Sequence, residues 1–67
     1  MLNCIALYLE ESGTSQKAFA DLLDVSQPTV SDWVRGVKKP EGENVTKVAR
    51  AIGKRPVDVL AEFHLGH

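Results

Sequence analysis

Little in this sequence would staple a chain, anchor it or draw it to a polyanion. The single cysteine, Cys4, excludes an intramolecular disulfide and reads as a small buried hydrophobe in a reducing compartment. No apolar run reaches transmembrane length, and no basic segment followed by an apolar stretch opens the chain, so a cytoplasmic protein without a membrane partner is expected. A basic excess is also missing. Eight Lys and Arg face nine Asp and Glu, for a formal net charge of −1, which argues against nucleic acid as a partner because phosphate neutralisation supplies most nonspecific affinity.

Catalytic constellations are equally scarce. No paired acid and base, and no glycine loop for cradling phosphate, can be picked out, and a domain this small has little room for a substrate pocket. The reading is therefore not an enzyme, with no cofactor and no small-molecule substrate. His64 and His67 stand three apart, but two imidazoles near a chain end, with Cys4 remote, do not make a metal site.

What the chain does have is hydrophobic residues at helical spacing and an uneven distribution of charge. Residues 1–33 carry Lys17 against five carboxylates; residues 34–67 carry seven cations against four carboxylates. Sixty-seven residues fit one domain near the lower size limit for folding without staples, so dimerisation would add useful stability.

The apolar period predicts five short helices, roughly 2–12, 16–23, 27–35, 43–52 and 56–62. Leu2, Ile5, Ala6 and Leu9 give the first a buried face, and Gly13 stops it. Val45, Val48, Ala49 and Ile52 do the same for the fourth, with Glu43 and Lys47 paired at i,i+4. Pro56 suits the first position of the fifth, which has Val57, Leu60, Ala61 and Phe63 as apolar members. No strand is expected before residue 57, although Phe63-His64-Leu65 could form a brief one.

The informative stretch is Ser15 to Arg35, closed by Gly36. Two amphipathic segments each begin with Ser-Gln, and the serines, eleven residues apart, are placed to cap helices starting at Gln16 and Gln27. Phe19, Leu22 and Leu23 form the inner side of the first; Val30, Trp33, Val34 and Val37 form that of the second. These are the dimensions of a helix-turn-helix. The opposite side of the second helix carries Gln27, Thr29, Ser31, Asp32 and Arg35, mostly short or amide side chains that can approach base edges closely.

At these residues the chain resembles the phage Cro and repressor type of helix-turn-helix, the XRE-like family of small prokaryotic regulators. Gln16, Ala20, Val25, Ser26-Gln27, Val30, Trp33 and Gly36 carry the resemblance. Three positions depart from it: Asp24 stands where the family usually has Gly, Val34 where it often has Glu, and Pro28 where it often has Gln or Ser.

The resemblance implies an all-α, compact five-helix domain of the lambda-repressor-like type over residues 1–67, with the helix-turn-helix at helices 2 and 3. It implies a sequence-specific transcriptional regulator of a bacterium or phage, a Cro-like repressor bound to double-stranded DNA at a palindromic operator. Base contacts would come from Gln27 to adenine, Pro28, Thr29 to a thymine methyl or phosphate, Ser31, and Asp32 to cytosine. Gln16, Lys17, Ser26, Arg35, Lys38 and Lys39 would reach phosphate. One module makes too few base contacts for useful specificity, so a homodimer is expected, with Val57, Val59, Leu60, Phe63 and Leu65 as its apolar interface. The alternative is an antitoxin-type DNA-binding protein whose main partner is another protein.

Overall fold

In a computed structural model, residues 3–64 are described, with His64 through its backbone alone; Leu2, Leu65 and His67 lie outside. Five helices follow one another: α1 (Cys4–Ser12), α2 (Gln16–Leu23), α3 (Gln27–Arg35), α4 (Glu43–Ile52) and α5 (Pro56–His64). The described residues contain no strand. Phe63 and His64 continue α5 instead of extending, because Phe63 is the next inward residue of the helical stripe that includes Val59.

Each of the first three helices starts on a polar side chain. The Oγ of Ser15 accepts from the Ala18 amide at 3.0 Å, and that of Ser26 from the Thr29 amide at 3.3 Å, so both satisfy a first-turn N–H that the helix leaves unpaired. Asn3 serves α1 in the same way, its Oδ1 accepting from Ala6 at 2.9 Å. The first helix therefore begins at Cys4, two residues later than expected. Gly42 precedes α4 with φ 56° and ψ −134°, a backbone open to glycine and costly for any residue with a Cβ.

The core is built from Ile5, Phe19, Val30, Val48 and Val59, all fully buried, with Trp33 nearly so. Tyr8 of α1 leans on Phe19, ring centroids 5.9 Å apart and tilted by 48°, a geometry that aromatic quadrupoles favour. Cys4 is buried too. Burial raises its thiol pKa above the usual value, and the nearby Glu62 adds to the effect, which leaves an inert small hydrophobe.

Three apolar side chains depart from expectation. Leu22 is 66% exposed, because α2 turns Phe19, Ala20 and Leu23 inward and Leu22 falls off the edge of that stripe. Val37 is exposed because Gly36, at φ 74°, ends the helical register before it. Pro40, in the loop after α3, is fully buried.

Three long-range side-chain hydrogen bonds, from two residues, tie α4 and α1 to the ends of α2 and α3. Lys47 Nζ donates to the Leu23 carbonyl at the end of α2, 3.3 Å. Asn3 Nδ2 donates to the Trp33 carbonyl at 2.7 Å and lies 3.3 Å from that of Val34. The residue that opens α1 thereby also satisfies carbonyls in the last turn of α3. Replacing Asn3 with Ala should lower the unfolding free energy in urea by about 1–3 kcal/mol, through loss of a cap and of a cross-link. Asn3→Ser, which can still cap, should recover only part of it.

Candidate nucleic-acid interface

The α3 helix buries Val30 and Trp33 and keeps Val34 half-buried. At about 3.6 residues per turn, Pro28, Ser31, Asp32 and Arg35 then lie opposite that pair, with Gln27 and Thr29 to either side. Gln27, Pro28 and Arg35 are exposed; Thr29, Ser31 and Asp32 are partly covered. The expected outward face is thus assembled on one rigid element. Pro28 sits in the first turn, where no backbone N–H is required of it.

Several of these side chains already have partners. The Thr29 hydroxyl lies 2.7 Å from that of Ser26, so both are shared with the helix cap. Asp32 receives Arg35 Nη2 at 2.7 Å and faces Lys38 Nζ at 3.9 Å. Its carboxylate is a poor candidate for accepting from a cytosine while those cations hold it. Lys17 pairs with Asp21 at 3.2 Å, with both side chains more than 70% exposed; such a surface pair is weak and readily exchanged. Gln16 is half-buried at the start of α2, where the exposed amides and the dipole favour an anion.

The two lysines after α3 share one hollow, with Val37, Glu41 and Phe63, and differ in their other neighbours. Lys38 also faces Asp32 of α3. Lys39 lines a further hollow with Val57, Leu60 and Ala61 of α5. It stands at the junction between the α3–α4 loop and the last helix.

The expected interface residues also separate. Val57 and Leu60 are exposed, at 59% and 46%. Val59, at 0%, and Phe63, at 9%, expected at an interface, are buried in this chain's own core. Helical geometry forces the division, since Val59 and Phe63 are four apart on the inward side. Leu65 lies outside the described residues. Arg55, just before α5, donates to the Asp58 carboxylate at 3.1 Å, a hydrogen bond that lowers the Asp58 pKa.

Sequence reasoning missed Asn3, which had a legible signal: an Asn directly before an apolar-periodic run. It also missed Asp32 as an ion-pair hub, whose partners at i+3 and i+6 meet only because the chain turns back at Gly36. Among the described residues, no group of three or more His, Cys, Asp and Glu is placed to hold a metal ion.

This arrangement is that of a helix-turn-helix, two capped helices packed on one another with the second presenting a polar face. The helix-turn-helix family model matches residues 5–60, and the chain belongs to that family, in its XRE-like branch of DNA-binding transcriptional regulators. Control protein C.BamHI of Bacillus amyloliquefaciens is 30% identical over 59 residues, 88% of this chain and 73% of that protein. The crystal structure of the clp gene regulator ClgR from C. glutamicum is similar at a TM-score of 0.70 and 26% identity, over 91% of this chain and 79% of that one. Family and fold are those of DNA-binding regulators, not of enzymes. No helix among the described residues is long and apolar enough to cross a membrane.

The turn between α2 and α3 shows how the chain manages without the usual glycine. Asp24 holds a left-handed backbone, φ 58° and ψ 46°, and its N–H reaches back to the Asp21 carbonyl at 3.3 Å. Asp tolerates this region better than most residues, though at a cost, and its charge opposes the dipole at the end of α2. Asp24→Gly should raise the unfolding free energy by about 0.5 kcal/mol, and Asp24→Ala should lower it by about 1 kcal/mol, in chemical denaturation.

Proposed function

We propose that the chain is a Cro-like repressor, one domain over residues 1–67, that acts in the cytoplasm by occupying a palindromic operator overlapping a promoter. The observation that carries this reading is the outward face of α3, held by buried Val30 and Trp33 and left uncovered at Gln27, Pro28 and Arg35. In this reading α3 lies in the major groove. Gln27 pairs its amide with adenine, Thr29 and Ser31 contact neighbouring base edges, and Pro28 offers apolar contact to a thymine methyl. The start of α2, with Gln16 and Lys17, and the end of α3, with Arg35 and Lys38, take phosphates on either side. The printed names of the two relatives, a control protein and a gene regulator, support a regulatory role.

A homodimer would supply the second half-site, about one helical turn away. Val57 and Leu60 are the exposed large apolar side chains of α5 among the described residues, with Lys39 at their margin.

Two measurements test these points. Random duplexes enriched on the protein should return an inverted repeat, and Gln27→Ala should lower selectivity for it over scrambled duplex by about 10-fold at fixed salt. Unchanged selectivity would remove Gln27 as a base reader. Leu60→Asp, on a surface position, should keep the fold and shift the sedimenting DNA-bound species from two protomers to one; a persisting dimer would move the interface away from α5.

A further inference from the structure

Asp32 sits where two general effects disfavour a carboxylate. It lies in the last turn of α3, whose dipole repels negative charge, and on the face turned toward phosphate in the reading above. Its side chain is nevertheless only 22% exposed and lies between two cations, Oδ1 accepting from Arg35 Nη2 at 2.7 Å and Oδ2 facing Lys38 Nζ at 3.9 Å. The Asp32 carbonyl accepts from the amides of Val37 at 2.9 Å and Lys38 at 3.3 Å. One residue therefore fixes both the backbone that leaves the recognition helix and the two cations that flank that exit.

We infer that Asp32 is a positioning residue: it holds Arg35 and Lys38 as a preformed clamp for one DNA phosphate, and does not itself read a base. Two nitrogens that straddle the oxygens of one carboxylate are spaced to straddle two oxygens of one phosphate. Arg35 has only Nη2 engaged, which leaves its other guanidinium N–H groups to donate. Held side chains lose less rotamer freedom when DNA arrives than free ones would, so the acid can strengthen binding despite its sign. The inference rests on the proposed DNA reading and deepens it at one end of the helix.

The test uses the duplex enriched by the wild-type protein, a scrambled duplex as control, and titrations at fixed salt. Asp32→Asn removes a negative charge yet should bind the enriched duplex about 10-fold more weakly, and the loss should shrink to within about 2-fold when Arg35→Gln and Lys38→Gln are already present. Asp32→Glu should recover part of the affinity. Tighter binding of Asp32→Asn to both duplexes would show simple repulsion and overturn the inference. A loss that persists without the two cations would show direct contact by Asp32 and overturn it equally. Should Asp32→Asn not fold, the cycle of Arg35→Gln and Lys38→Gln decides: non-additive losses support one shared phosphate, and additive losses refute it. Failure of the wild-type protein to enrich any duplex would refute the DNA reading itself, an outcome separate from all of these.

Discussion

A nine-residue helix has no standing of its own in water, and the recognition helix is nine residues long. Its persistence depends on the docking of Val30 and Trp33 against α1 and α2, in one buried cluster with Phe19, Ala20 and Leu23 of α2. Ala20 and Val30 are both buried in that cluster, at 2% and 0% exposed. Both ends of α3 are tied to this docking. Ser26 closes the amino end, and Asn3 draws the carboxy end toward α1 through the Trp33 carbonyl. Orientation of the polar face is thus a property of the whole core.

The same economy governs charge. The cations near α2 and the end of α3 are partly balanced by carboxylates within the chain: Lys17 by Asp21, and Arg35 and Lys38 together by the one carboxylate of Asp32. At Lys17 a phosphate would exchange one anion for another, so the net Coulombic gain there is smaller than for a free cation. In the proposed reading, attraction to DNA of arbitrary sequence is weak, discrimination comes from hydrogen bonds and shape along α3, and the salt dependence of binding is shallow for a protein of this fold.

The sequence made the helix starts at Ser15 and Ser26, and the inward placement of Val30 and Trp33, legible, because caps and helical period are local signals. What it could not separate were residues whose fate depends on a partner element. Leu22 matches the period of α2 as well as Leu23 does, but α2 docks through Phe19, Ala20 and Leu23 and leaves Leu22 outside. Val57 and Val59 are chemically identical, and only the position of α5 against the core decides that one is exposed and the other enclosed. Pro40 reads as loop punctuation until the chain folds it beneath the helices. Asp32 reads in the sequence as an unpaired acceptor because Lys38, 3.9 Å from its carboxylate, is brought back by a turn that spacing alone does not show.

The division of α5 also bears on how the proposed dimer would work. With Val59 and Phe63 committed to the core, Val57 and Leu60 are the exposed large apolar side chains of that helix among the described residues. A standard stable interface buries about 800 Å² on each partner, far more than two such side chains supply. A dimer built on them would be weak in free solution and reinforced on DNA, where two adjacent half-sites raise the effective concentration of one protomer at the other. Association and operator binding would then be linked, with occupancy rising steeply over a narrow range of protein concentration. For a repressor without a cofactor, that linkage would give a sharp response from the fold alone.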